Sequence, residues 1–108
     1  MDISKMSKVV KFDQLQDPDE TWILGEKIGR GTYGEVYEAI HKVTAKKAAV
    51  KILENISDFV EEIEEEFRVL NELRSVKNLP RFYGIYLKRN KSDGVRSKDQ
   101  VWFVMEVR

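Results

Sequence analysis

The chain has 108 residues, which is enough for one small domain. Apolar residues make up 42% of it and charged residues 35%, so it can bury a core and is not disordered by composition. Basic and acidic side chains balance at 19 each, which argues against a protein held on nucleic acid by bulk charge. The absence of cysteine excludes disulfide scaffolds, thiolate zinc sites and cysteine nucleophiles.

Nothing in the sequence has the character of a membrane anchor. No apolar run approaches the roughly 20 residues of a membrane-spanning helix, and the N-terminus lacks the apolar core of a signal peptide. The only histidine is His41, so a serine-histidine-aspartate triad would have to use it. We therefore expect a soluble cytoplasmic protein in a reducing compartment.

The predicted elements begin after a polar start. Residues 1–20 mix charges with scattered apolar side chains and contain the turn signal DPDE, so we interpret them as an N-terminal arm. Residues 21–108 are the expected domain. Strand-like runs cover residues 22–28, 35–40 and 48–53. Three strands joined by short turns predict an antiparallel sheet.

Residues 57–73 have the periodicity of an amphipathic helix. Ser57 or Asp58 can cap its start, and acidic residues crowd the first turns, where the helix dipole favours them. Its apolar residues fall on one stripe: Phe59, Ile63, Phe67, Leu70 and Leu73. The stripe predicts one buried face.

Strand character resumes over residues 78–87 and, after a long polar loop at 88–100, over residues 101–107. The last segment, VWFVMEV, is apolar on both faces apart from Glu106, so we predict a central strand. The predicted order is β-β-β-α-β-β. This is an α+β fold with a five-stranded antiparallel sheet and one main helix.

Residues 29–36 read GRGTYGEV, a glycine cluster that lets backbone N–H groups approach phosphate oxygens. A Walker loop is excluded because Gly34 is followed by Glu35 and Val36 instead of lysine and serine or threonine. A dinucleotide-binding fold needs a helix directly after Gly34, where EVYEAI predicts a strand. A glycine-rich hairpin over a nucleotide and a plain hairpin remain as alternatives.

Two charged residues occupy positions that favour apolar ones. Lys51 lies in the apolar run AAVKIL, where a lysine is costly unless its charge is paired or its stem reaches the surface. At about 100° per residue, Glu66 falls in the middle of the apolar stripe, between Ile63 and Leu70. A carboxylate there needs a cation or a hydrogen-bond donor. We predict a Lys51–Glu66 ion pair beside the glycine cluster.

Five motifs occur in the order found in one lobe of a known fold: IGRGTYGEVY, KAAVKIL, EEIEEEF, RFYGIY and VWFVME. Over about residues 12–108 the chain resembles the N-terminal lobe of eukaryotic protein kinases of the sterile-twenty-like serine/threonine group. The runs DPDETW and LPRFYGIY are most similar to the kinase domain of class III unconventional myosins. The resemblance implies ATP as cofactor, with magnesium in the complete kinase, and γ-phosphoryl transfer to a protein hydroxyl.

The resemblance also implies a role for each matching position. Lys51 would contact the α- and β-phosphates while Glu66 holds it, and these are the expected catalytic residues. The flap, the adenine pocket and the hinge would supply the other nucleotide-binding residues: Ile28, Gly29, Arg30, Gly31, Thr32, Tyr33, Gly34, Val36, Ala49, Met105, Glu106 and Arg108. No metal ligand is expected among the residues present.

The catalytic loop and the magnesium-binding motif of kinases do not occur in these 108 residues. His41 is followed by Lys42 and Val43, so there is no H-R-D motif, and no D-F-G motif occurs either. We therefore interpret the chain as a fragment without the C-terminal lobe and expect it to be inactive by itself. In the complete protein the partners would be a protein substrate and, through a motor domain, the actin cytoskeleton.

A non-catalytic interaction module is the alternative function. Acidic side chains predominate over residues 54–72 and basic ones over residues 74–98. Such segregation is usual for solvated surfaces, but it also suits docking to a partner of opposite charge.

Overall fold

The computed structural model of the chain describes residues 14–30, 34–73, 76–89 and 99–107. In these residues the elements are β1 (Trp22–Arg30), β2 (Glu35–His41), β3 (Lys47–Leu53), α1 (Val60–Glu72), β4 (Phe82–Lys88) and β5 (Gln100–Glu106). Short 3₁₀ turns at Pro18–Glu20 and Ile56–Asp58 precede β1 and α1. The predicted order of elements and the α+β class are confirmed. No helix in the described ranges has the length and apolar character needed to cross a membrane.

The five strands form one antiparallel sheet in the order β1-β2-β3-β5-β4. The last strand of the chain therefore lies between β3 and β4, which confirms the central position predicted from its apolar sequence. Its four residues from Val101 to Val104 are all buried, because one face of β5 packs towards α1 and the other towards the opposite core.

The sheet carries a buried cluster on each face. The helix-face cluster contains Leu53, Ile56, Ile63, Phe82, Leu87, Val101 and Phe103. The outer-face cluster contains Trp22, Ala39, Ala48, Val50, Ile52, Trp102 and Val104. Alternate residues of β3 and β5 enter different clusters, as the two-residue period of a strand requires. The sheet is thereby a rigid support for side chains on the helix face.

The helix begins later than the sequence predicts. Its N-cap residue is Phe59, which makes no side-chain cap, so the prediction of a Ser57 or Asp58 cap is wrong. The reason is that Ile56 is buried in the helix-face cluster and fixes a 3₁₀ turn over Ile56–Asp58, which uses the two polar residues before α1 starts.

The apolar stripe is also shorter than predicted. Ile63 is fully buried, and Phe67 and Leu70 pack against the helix-face cluster. Leu73 is exposed, because it follows the last residue of α1 as the C-cap. Val60, which the periodicity does not place on the stripe, is buried instead.

Strand β1 does not present one regular apolar face. Trp22 is buried, but Leu24 and Ile28 are exposed, although the alternation predicts that the three share a face. The pairing of β1 with β2 shifts between Leu24 and Lys27 and again before Gly29. Trp22 and Leu24 pair in continuous register with His41 and Ala39 and so share a face, as predicted. The shifts after Leu24 turn the later side chains, including Ile28, out of this alternation.

The described part of the N-terminal arm packs along β4. The Leu87 N–H donates to the Gln16 carbonyl at 3.0 Å, and Leu15 packs against the helix-face cluster. Pro18 is buried, and Asp17 caps the 3₁₀ turn that leads into β1. The arm therefore covers part of the edge of β4, where unpaired backbone groups would otherwise face solvent.

The turn between β2 and β3 contains a strained alanine. Ala45 has a φ of 60°, a left-handed conformation that costs an alanine about 1 kcal/mol. We expect Ala45→Gly to raise the free energy of unfolding by about 0.5 kcal/mol, since glycine removes the strain but loses more chain entropy. Urea denaturation measures this change. Lys42→Gly, in the same turn without a positive φ, should lower stability; equal effects would contradict the assignment.

His41 serves this turn as a hydrogen-bond acceptor. Its Nδ1 accepts the N–H groups of Val43 at 3.1 Å and Thr44 at 3.2 Å. We expect His41→Ala to lower the free energy of unfolding by about 1 kcal/mol, because both donors lose their partner. His41→Asn should recover part of the loss in urea denaturation, because its side-chain oxygen can also accept. An unchanged His41→Ala variant would exclude this role.

Candidate functional site

Strand pairing places the candidate residues of β2, β3 and β5 on the helix face of the sheet. Lys51 lies opposite Val36 on β2 and opposite Phe103 on β5. Ala49, two residues earlier on β3, lies opposite Met105. Residues directly opposite each other in an antiparallel pair share a face, and so do residues two apart. Val36, Ala49, Lys51 and Met105 therefore form one patch.

The predicted ion pair is present at this patch. The Lys51 Nζ lies 2.9 Å from Glu66 Oε1 and 3.1 Å from Oε2, so the ammonium donates to both oxygens of the carboxylate. The Lys51 and Glu66 side chains are 16% and 22% exposed, which leaves the pair partly shielded from water. A charge-assisted contact of this geometry fixes the position of a long, flexible lysine side chain.

The helix explains why Glu66 reaches the sheet. It lies one turn after Ile63, which is fully buried, and one turn before Leu70, which packs against the same cluster. Side chains three and four residues apart share a helix face, so burial of these neighbours directs the carboxylate towards β3. Glu61, Glu65 and Glu72 of the same helix are exposed, whereas Glu66 is partly buried.

The glycine cluster approaches β3 closely at Gly34. A Cβ atom on Gly34 would collide with the Ile52 carbonyl oxygen, so no larger residue fits without a backbone shift. Gly29, at the other side of the cluster, has nothing within 4 Å of such an atom. Gly31, Thr32 and Tyr33 lie outside the described residues. Gly34 is thus required for the close contact between the start of β2 and the end of β3.

An ion-pair cluster that the sequence analysis missed lies at the base of the glycine cluster. The Lys27 ammonium donates to Glu35 at 2.8 Å, the Tyr37 hydroxyl donates to the same carboxylate at 2.9 Å, and Arg30 lies 4.0 Å away. The Lys27 and Tyr37 hydrogen bonds hold the pKa of Glu35 below its ordinary value. The sequence does place a carboxylate directly after Gly34 and eight residues from Lys27. The contact between Lys27 and Glu35, however, follows only from the register of the β1–β2 hairpin.

The remaining predicted positions occupy the ends of β1 and β5. Ile28, Gly29 and Arg30 are exposed at the end of β1. The Glu106 N–H donates to the Arg81 carbonyl at 2.7 Å, so a nucleotide base meeting Glu106 would approach its carbonyl oxygen. Arg108 lies outside the described residues.

The strand after the glycine cluster tests one interpretation of its sequence, the dinucleotide-binding fold. β2 starts at Glu35, directly after Gly34, and pairs with both β1 and β3. A dinucleotide-binding fold requires a helix at this point, so that alternative is wrong. In the described residues, no group of three or more histidine or acidic side chains is arranged to hold a metal ion.

Comparison with known proteins finds a matching family model and relatives that agree with it. The protein kinase domain matches residues 22–108. Human Myosin-IIIa is 45% identical over 102 residues, 94% of this chain and 6% of the relative. Mouse Myosin-IIIb is 43% identical over 96 residues, 89% of this chain and 7% of the relative. Rat Misshapen-like kinase 1 is 33% identical over 103 residues, 95% of this chain and 8% of the relative.

These matches cover most of the chain but less than a tenth of each relative. The resemblance to sterile-twenty-like kinases and class III myosins, which the motifs indicated, therefore extends over nearly the whole sequence. The chain belongs to the protein kinase family, and its five-stranded sheet with one helix is the N-terminal lobe of that domain.

Proposed function

We propose that this chain is the ATP-binding half of a serine/threonine protein kinase. The Lys51–Glu66 ion pair is the observation that carries the proposal, because it fixes an ammonium next to the glycine cluster. Electrostatic positioning of this kind is what phosphoryl transfer requires of a protein, since the chemistry involves little covalent participation by side chains.

The residues present fit a nucleoside triphosphate. Gly34 brings the start of β2 against the Ile52 backbone of β3, and the Lys51 ammonium supplies positive charge one residue before that contact. Val36, Ala49 and Met105 offer an apolar surface next to Lys51 for a base. When bound, Mg-ATP supplies the phosphoryl group that the complete kinase transfers. Lys51 would hold the α- and β-phosphates, and Glu66 would keep Lys51 in place.

A thermal-shift titration with Mg-ATP tests nucleotide binding. At ten times Kd a ligand stabilises the folded state by about 1.4 kcal/mol, which is several degrees in Tm for a domain of this size. We expect this shift in the wild-type chain and its loss in Lys51→Met/Glu66→Met, which removes both charges together. Lys47→Met, an exposed lysine on the same strand, is the matched control and should keep the shift. A shift that survives the double variant would contradict the proposal.

We further propose that these 108 residues alone have no phosphotransferase activity, because the sequence contains no H-R-D or D-F-G motif. Purified chain should incorporate no phosphate into a generic protein substrate above the level of Lys51→Met. Incorporation that disappears in Lys51→Met would contradict this second statement while supporting nucleotide binding. In a longer protein we expect a protein serine or threonine as substrate and, from the myosin resemblance, association with the actin cytoskeleton in the cytoplasm.

A further inference from the structure

A small cavity opens on the outer face of the sheet, beside the turn between β2 and β3. Its volume is about 260 Å³, which admits one or two side chains and is less than the usual pocket for a cofactor. It lies on the face opposite the Lys51–Glu66 pair, because Trp22 belongs to the outer-face cluster. The nucleotide proposal makes no use of this cavity. The residues that form its wall include Trp22, His41, Thr44, Lys46, Tyr83 and Tyr86.

The polar groups of this wall can all donate hydrogen bonds. Among the described residues that line the cavity none is acidic, and Lys46 carries a positive charge. The His41 Nδ1 accepts the N–H groups of Val43 and Thr44, so the other ring nitrogen, Nε2, carries a proton and can donate. The threonine and tyrosine hydroxyls of the wall can donate as well. The cavity therefore suits a group that accepts hydrogen bonds and carries negative charge.

The charge of Lys46 is available for such a group. Lys46 is exposed, and none of the salt bridges in the described part of the chain involves it. Its N–H donates to the Thr44 Oγ1 at 3.4 Å, and its carbonyl accepts the His41 N–H at 2.9 Å. The backbone of the turn is thereby fixed before any partner binds, so binding does not have to order it.

Aromatic rings supply the apolar part of the wall. Trp22 packs on Tyr83 of β4 with ring centroids 5.5 Å apart, and it meets the His41 ring of β2 edge-on at 5.0 Å. The Trp22 Nε1–H is buried and has no acceptor among the described residues. Tyr86 is half-buried and packs against the same cluster. The wall thus combines apolar rings with a positive charge.

We propose that this cavity binds an acidic segment of a partner protein, in which a carboxylate side chain lies next to an apolar one. The carboxylate pairs with Lys46 and accepts from His41, while the apolar side chain packs on the ring of Tyr83. Opposite charges that meet beside an apolar surface fix the orientation of the partner and exclude other partners. An anionic membrane fits less well, because it attracts every exposed lysine of the turn, whereas only Lys46 lines the cavity.

Two neighbouring lysines provide matched variants for the test. Ala48 and Val50 enter the outer-face cluster, so Lys47 lies with Ala49 on the helix face of β3. Lys46 and Lys47 are both exposed, and replacing either by glutamate changes the net charge equally. Only Lys46 lines the cavity. A difference between the two variants therefore reports on the cavity and not on the charge of the whole chain.

Titration of the isotope-labelled full chain with the peptide GEFEFEG tests the site, with GQFQFQG as the uncharged control. The chain has two tryptophans, so two indole N–H signals are available. We expect GEFEFEG to move the Trp22 indole signal and the amide signals of Thr44 and Lys46 until they saturate. The Trp102 indole, which donates to Gln100 at 3.1 Å and does not line the cavity, should move less. GQFQFQG should bind at least about tenfold more weakly, because it lacks the charge.

Lys46→Glu is expected to weaken GEFEFEG binding by about tenfold or more, and Lys47→Glu by less than about threefold. Equal losses in the two variants would overturn the proposal, as would a peptide that moves none of these signals at about 1 mM. Failure of the peptide together with binding to phosphatidylserine vesicles would identify an anionic membrane as the partner instead. Competition by Mg-ATP would place the peptide at the nucleotide site and also overturn the proposal. Peptide binding is measured without nucleotide, so this test and the nucleotide test can fail separately.

Discussion

Replacing Gly34 with alanine is expected to lower the free energy of unfolding by about 3 kcal/mol, the upper part of the usual range for overpacking. The added Cβ would collide with the Ile52 carbonyl oxygen. Because that neighbour is backbone of a strand paired on both sides, it cannot rotate away as a flexible side chain could. The start of β2 must separate from the end of β3, and urea denaturation should show the loss directly.

Gly29→Ala is the control for this prediction, since the same glycine cluster offers open space at that position. Its free energy of unfolding should change by no more than about 0.5 kcal/mol. If Gly34→Ala and Gly29→Ala have similar stabilities, the close approach of the glycine cluster to β3 is wrong.

Lys51→Met is expected to lower the free energy of unfolding by about 2 kcal/mol, less than a fully buried pair because both side chains keep some contact with water. The substitution removes the ammonium that Glu66 binds and leaves the carboxylate on the apolar side of α1. Lys47→Met on the same strand is exposed and should change stability by less than about 0.5 kcal/mol.

A double-mutant cycle with Glu66→Met isolates the interaction of the two side chains. We expect the double variant to be more stable than the sum of the single losses predicts, with a coupling of about 1–2 kcal/mol. Additive losses would mean that Lys51 and Glu66 stabilise the lobe separately, and the ion pair would then contribute nothing to the position of Lys51.

The most informative residues of the sequence were charged residues at positions where the pattern predicts apolar ones. Lys51 in an apolar strand and Glu66 on an apolar stripe could be paired from two simple periods, two residues for a strand and 3.6 for a helix. Those periods hold because both elements pack one face against the same cluster, which Ile63 and Phe103 anchor. The ion pair could therefore be predicted from the sequence alone.

Other features depended on contacts that no local pattern encodes. Ser57 and Asp58 are good capping residues, but burial of Ile56 competes with the cap and delays the helix. The alternation in β1 holds from Trp22 to Leu24 and fails after it, because the register with β2 shifts there, which depends on the partner strand. The Lys27–Glu35 contact likewise exists only once β1 and β2 are paired.

Backbone amide mapping of Mg-ATP on isotope-labelled chain tests the central claim most directly. The account predicts the largest chemical-shift changes at Gly34, Val36, Ala49 and Lys51, and their loss in Lys51→Met/Glu66→Met. Saturating nucleotide that moves none of these signals, or moves chiefly the signals of the exposed face of α1, would contradict a nucleotide site at the Lys51–Glu66 pair.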